Sequence, residues 1–149
     1  MSPIGTICER NVVLTGTDTT VQAAAKLMRQ HHVGSLVVVV ERDGRREPVG
    51  IVTDRDIVIE VSALDLDPNV LTVGDIALPQ LVTACEGDGL QAAADLMRRE
   101  CVRRLPVLSE AGELVGILSF DDLLVALMRQ LAETTDTLGR GRETNPAVR

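Results

Sequence analysis

Two short stretches place a hydroxyl and a carboxylate three residues apart: Gly50-Ile51-Val52-Thr53-Asp54-Arg55-Asp56 and Gly116-Ile117-Leu118-Ser119-Phe120-Asp121-Asp122. In each, an apolar run ends at Thr53 or Ser119 and a helical pattern begins directly after it. A strand ending there sets a hydroxyl and unpaired backbone N–H groups at a helix N-terminus, which favours an anion such as phosphate. The carboxylates of Asp56 and Asp122 can each accept two hydroxyl protons at once. A plainer alternative is local: Thr53 and Ser119 as N-caps, Asp56 and Asp122 as first-turn acids that favour the helix dipole. Gly50 and Gly116 leave room for another backbone to come close.

Catalytic chemistry finds little to use. The only histidines, His31 and His32, are adjacent and lack the i, i+4 spacing of a shared metal, and they suit the C-terminal end of a helix. Asp121-Asp122 has no third acidic ligand near it in sequence. Cys8, Cys85 and Cys101 are odd in number and widely spaced, so they form neither a disulfide framework nor a zinc pattern, which suits a reducing cytosol. No Ser-His-Asp set and no phosphate loop is present, so no enzyme activity and no catalytic cofactor or metal is expected.

The elements that must position these groups come as a repeat. Gln22-Ala23-Ala24-Ala25 and Leu27-Met28-Arg29 recur as Gln91-Ala92-Ala93-Ala94 and Leu96-Met97-Arg98, an offset of 69 residues. Val33, Leu36 and Val38 recur as Val102, Leu105 and Val107. The two hydroxyl–carboxylate stretches lie at an offset of 66, so the first copy carries three extra residues, in the charged turn around Asp43-Gly44. Each copy reads β-α-β-β-α. A short strand (Val12-Val13-Leu14; Leu81-Val82-Thr83) precedes an N-cap signal, Thr19 with Gln22 and Asp88 with Gln91. A helix, two strands and a second helix follow. The reading divides the chain into an N-terminal segment (1–11), repeat 1 (12–62), a connector (63–80), repeat 2 (81–133) and a tail (134–149) expected to be disordered at its end.

Composition narrows the partners. The net charge is −7, and Phe120 is the single aromatic residue. An acidic chain without stacking rings does not suit a nucleic-acid partner. One lysine, Lys26, makes no polybasic membrane patch, and no stretch reaches the roughly 18 apolar residues of a membrane span. The N-terminus has no basic region followed by an apolar run, so a cytoplasmic location is expected.

The repeat resembles the CBS domain, named for cystathionine beta-synthase, and two copies resemble a CBS pair over residues 12–128. Copy two carries the pattern in Leu105-Pro106-Val107, Gly112 and Gly116-Ile117-Leu118-Ser119-x-x-Asp122; copy one carries it in Gly34-Ser35-Leu36-Val37-Val38 and Gly50-Ile51-Val52-Thr53-x-x-Asp56. The resemblance implies an α+β or α/β fold of two β-α-β-β-α repeats packed with pseudo-twofold symmetry. It implies a regulatory, non-catalytic module that senses AMP, ADP, ATP or a related adenosyl ligand in clefts between the repeats, with Mg²⁺ arriving on the nucleotide. The hydroxyl would meet phosphate or ribose, and the Asp the ribose hydroxyls. Site one would comprise Thr15, Ser35, Leu36, Val37, Thr53, Arg55 and Asp56, with Arg55 a candidate phosphate partner. Site two would comprise Thr83, Cys85, Arg103, Arg104, Leu105, Pro106, Ser119 and Asp122, with Arg103 and Arg104 where copy one has Gly34 and Ser35. Without aromatics, aliphatic contacts and backbone would hold the base. A homodimer through Leu27, Met28, Leu123, Leu127 and Met128 is expected. The alternatives are an interaction module with empty clefts, or a sensor of S-adenosylmethionine, NAD or a cyclic dinucleotide.

Overall fold

The computed structural model describes residues 2–77 and 80–144. Each repeat is a three-stranded sheet with one parallel and one antiparallel pairing. In repeat 1 the order is β1 (Leu14–Gly16), β2 (Ser35–Arg42), β3 (Arg45–Thr53), with β2 central; in repeat 2 it is β4 (Ala84–Cys85), β5 (Arg104–Leu108), β6 (Leu114–Ser119), with β5 central. The parallel pairs β1–β2 and β4–β5 need crossovers, which α1 (Val21–His31) and α4 (Leu90–Glu100) supply. Both antiparallel pairs slip register at the same place, after Val38↔Gly50 and after Val107↔Gly116. The β-α-β-β-α order and the tandem mixed α/β architecture are those expected.

Strand alternation sorts the core. Leu36, Val38 and Val52 face α1 and meet Ala24 and Met28, while Leu105, Val107 and Leu118 face α4 and meet Ala93 and Met97. The small alanines let each helix lie close to its sheet. Both helices end in a left-handed residue, His32 (φ 53°) and Cys101 (φ 54°), which turns the chain into the next strand.

The helix starts differ from expectation by one residue. Thr20, not Thr19, caps α1 by accepting from Ala23 N at 3.1 Å, and Gly89 stands at the N-cap of α4. Thr19 and Asp88 instead hold the preceding strand ends: Thr19 Oγ1 accepts from Gly16 N at 3.3 Å, and Asp88 Oδ2 from Cys85 N at 2.9 Å. Consecutive cap-type residues compete for these roles, and the strand-end turn takes the earlier one.

The segments read as an N-terminal extension and a connector are parts of the repeats, and they are exchanged. Ile4 and Cys8 are buried in the core of repeat 2, around a 3-10 turn at Ile4–Thr6. Val73, in α3 (Val73–Ile76), is buried in the core of repeat 1. Ile4 N donates to Asp88 O and Gly5 N to Glu86 O; Val73 N donates to Thr19 O and Gly74 N to Thr17 O. Each bond of the second pair lies at the repeat offset from one of the first, so the exchange is reciprocal, as pseudo-twofold symmetry requires. Burying a side chain such as Ile4 contributes about 1.5–3 kcal/mol, so each repeat depends on a segment adjoining the other.

The second helices differ. In repeat 1, α2 (Asp54–Ile57) opens into a π-helical turn at Val58–Ser62. In repeat 2, α5 (Phe120–Thr144) is one long helix. It continues through the segment expected to be a tail as far as Thr144; residues 145–149 lie outside the described residues. Thr134, Thr135 and Thr137 bond back to carbonyls four residues earlier, and Asp136 pairs with Arg140 at 3.1 Å, one turn on. Among the described residues no helix is long and apolar enough to cross a membrane.

A cavity between the two repeats

β3 ends at Thr53, and a reciprocal capping box holds the turn that follows. Thr53 Oγ1 accepts from Asp56 N at 3.1 Å, and Asp56 Oδ2 accepts from Thr53 N at 2.9 Å. Asp56 is therefore fixed through one carboxylate oxygen, and the second has no hydrogen bond among the described residues. Asp54 N donates to Gly34 O at 3.0 Å, tying the start of α2 to the turn that enters β2.

A cavity of about 450 Å³ opens against this turn. Repeat 1 supplies Ile51, Thr53, Asp54, Arg55 and Asp56; repeat 2 supplies Gln80, Leu81 and Val82 ahead of β4, and Cys101, Val102, Arg103 and Arg104 at the entry to β5. The left-handed Cys101 turns the chain so that the two arginines follow directly on the cavity wall. Three guanidinium groups stand with the carboxylates of Asp54 and Asp56, and Ile51, Leu81, Val82 and Val102 give an aliphatic wall. Arg103 lies with its guanidinium carbon 4.8 Å from the Phe120 ring centroid and its Nη2 3.8 Å from Asp121 Oδ1. Its carbonyl accepts from Phe120 N at 2.8 Å. That ion pair is exposed and contributes little to stability; its effect is to orient the side chain. Arg104 reaches repeat 1: a Cβ built on Gly34 would lie 3.5 Å from Arg104 Nη2 and 3.2 Å from Asp54 Oδ2.

The expected sites are thus regrouped. Thr53, Arg55 and Asp56 line the cavity as a set. Arg103 and Arg104, grouped by sequence with Ser119 and Asp122, stand instead beside Thr53 and Asp56, because the entry to β5 faces the end of β3 across the repeat boundary. Leu36, Val37 and Leu105 have no exposed surface, and Pro106 is buried as well. None of the four lines the cavity, nor do Thr15, Ser35, Thr83 or Cys85. Thr15 is buried with its hydroxyl unpartnered. Ser119 and Asp122 form a one-way cap, Asp122 N to Ser119 Oγ at 3.1 Å, outside this cavity. The close approach expected at Gly116 is real, but its partner is the chain itself. A Cβ there would lie 2.6 Å from Cys8 Sγ and 2.9 Å from Glu9 O. Burial also raises the thiol pKa of Cys8 above its ordinary value.

Sequence reasoning missed Ile51, Asp54, Gln80, Leu81, Val82, Cys101 and Val102 as lining residues. A signal existed in the repeat: segments bordering equivalent strands must meet across a twofold, not within one copy. Among the described residues no group of three or more His, Cys, Asp or Glu converges on a metal position.

Comparison with known proteins agrees with this architecture. The model of the CBS domain matches residues 4–63 and 73–129, and the chain belongs to the CBS domain family. It is 37% identical over 117 residues to hypoxic response protein 1 of Mycobacterium tuberculosis, covering 78% of this chain and 79% of that protein. A crystal structure of hypoxic response protein I, described with two coordinated zinc ions, superposes with a TM-score of 0.69 at 36% identity, covering 83% of this chain and 97% of that one. An uncharacterised protein of Methanopyrus kandleri is 38% identical over 81% of this chain, which spans 60% of that protein's length. A hexameric CBS-CP12 protein from bloom-forming cyanobacteria superposes with a TM-score of 0.75 at 31% identity, covering 83% of this chain and 70% of that one. CBS-domain proteins are regulatory modules.

Proposed function

We propose that the chain is a regulatory module that takes an adenine nucleotide, AMP, ADP, ATP or a related adenosyl compound, in the cavity between its repeats. One observation carries this reading: a single cavity unites the Thr53–Asp56 pair of repeat 1 with Arg103 and Arg104 of repeat 2. Asp56, already oriented by its capping bond, has an oxygen left to accept from ribose hydroxyls. Arg55, Arg103 and Arg104 suit phosphate, with any Mg²⁺ carried on the nucleotide. The aliphatic wall suits an adenine face, and its volume lies within the range of ligand pockets.

Because both repeats contribute to the wall, a ligand that prefers one arrangement of the repeats shifts their equilibrium, and a partner reads the shift. This reading has the module acting in the cytoplasm without turnover, as a homodimer. Of the five residues expected at the interface, Met128 is exposed, Leu27 and Leu127 pack partly against the cores, and Met28 and Leu123 are buried in them; Val58, Ile59, Leu124 and Val125 add exposed apolar surface on the second helices. By the pseudo-twofold, the Ser119–Asp122 pair corresponds to Thr53–Asp56 but has Gly34 and Ser35 as the counterparts of the two arginines, so it is read as the weaker anion position.

Titration calorimetry on protein verified free of carried-over nucleotide tests the reading. Heat with at least one of AMP, ADP or ATP is expected. No heat with any of them, nor with S-adenosylmethionine or NAD, refutes it and leaves an assembly module with empty clefts.

A further inference from the structure

Beyond the body of repeat 2, α5 carries a stripe that nothing in the chain covers. Leu124, Met128, Leu131, Thr135 and Leu138 follow one another at alternating steps of four and three, the spacing of a coiled-coil seam. Met128, Leu131 and Leu138 are 63%, 69% and 66% exposed. Thr135 does not break the stripe, since its hydroxyl bonds back to Leu131 O at 3.0 Å. This part of the helix is otherwise poorly suited to stand alone: Thr134, Thr135, Thr137 and Gly139 are weak helix formers, and short isolated helices are marginal in water.

We infer that the projecting part of α5 pairs in parallel with the same segment of a second copy, forming a two-helix seam centred on Leu131. The flanks of the stripe, Leu127, Ala132, Thr134 and Gly139, are uncharged, so identical helices meet there without like-charge repulsion. The charged groups Arg129, Glu133 and Asp136 sit on the outer side. The seam starts at the body, where Leu124 and Val125 are also exposed. Together these side chains form a continuous run of exposed apolar surface along one helix face, the kind of surface that marks an interaction site. An antiparallel pairing that set Met128 against Leu131 would drive the helix beyond Gly139 against the partner's β6, whereas the parallel pairing keeps both bodies at one end. The inference needs self-association of the chain but not nucleotide binding, and its test is run without nucleotide.

The test is disulfide cross-linking of the full chain with the exposed Cys85 and Cys101 replaced by Ser. Leu131→Cys and Leu138→Cys are expected to give covalent dimers at least tenfold faster than Glu133→Cys on the outer side. In sedimentation, Leu131→Glu with Leu138→Glu is expected to raise the dimer dissociation constant at least tenfold with an unchanged unfolding midpoint. Cross-linking no faster at Leu138 than at Glu133 would overturn the seam, as would an unchanged dissociation constant.

Discussion

The two copies of the hydroxyl–carboxylate motif share a sequence pattern and differ in what they hold. At Thr53 and Asp56 both halves of the capping box are made, and the turn forms one wall of a cavity faced by Arg103 and Arg104. At Ser119 and Asp122 only the backbone N–H of Asp122 is satisfied, and the residues equivalent to the two arginines are Gly34 and Ser35. Phe120 and Asp121 of that second motif instead contact Arg103, which lines the cavity beside the first motif. A duplicated scaffold has thus become asymmetric by placing its positive charge on one side. The two arginines line the cavity beside the other copy's motif, because the entry to β5 meets the end of β3 across the repeat boundary.

The same exchange predicts the largest effects. Ile4→Ala removes a fully buried side chain from repeat 2 and is expected to cost about 2–5 kcal/mol. The loss should appear in chemical denaturation as destabilisation of repeat 2, although residue 4 precedes repeat 1 in sequence. A neutral result would break the exchange. Next, Asp56→Ala is expected to weaken nucleotide binding at least tenfold, in line with the ~1.5–3 kcal/mol of hydrogen bonds to a charged group, while Asp122→Ala leaves it within about twofold of the native chain. Arg104→Ser, which gives repeat 2 the residue found in repeat 1, should weaken ATP more than adenosine; equal weakening would remove the arginine from phosphate recognition. Gly116→Ala is expected to cost about 1–3 kcal/mol by overpacking, since its Cβ would meet Cys8 Sγ at 2.6 Å. The smallest effect separates the two caps. Thr53→Ala should cost about 1 kcal/mol and Ser119→Ala less, read from thermal unfolding.

The repeat, the strand order and the hydroxyl–carboxylate pairs were legible because they rest on local pattern: alternation in β2 and β5, helical spacing in α1 and α4, and identical runs at one offset. The partner of each segment was not. Ile4-Gly5 and Val73-Gly74 recur at the same offset of 69 as the helices, which marks them as repeat elements. No local pattern tells which sheet such a segment packs on. The same limit misassigned Arg103 and Arg104, whose own strand lies in one repeat and whose cavity is shared with the other. Leu36, Val37 and Leu105 read as base contacts because β-branched and aliphatic runs look alike whether they line a cleft or fill a core. The continuation of α5 was hidden by four threonines and two glycines, whose low helix propensity spoke for a loop.

The central claim is that one cleft, completed by both repeats, is the ligand site. Calorimetry of AMP on the native chain, Asp56→Ala and Asp122→Ala tests it most directly. The account predicts one strong site per chain, lost or weakened at least tenfold in Asp56→Ala and kept in Asp122→Ala. Two equal sites per chain, or a loss in Asp122→Ala as large as that in Asp56→Ala, would contradict it.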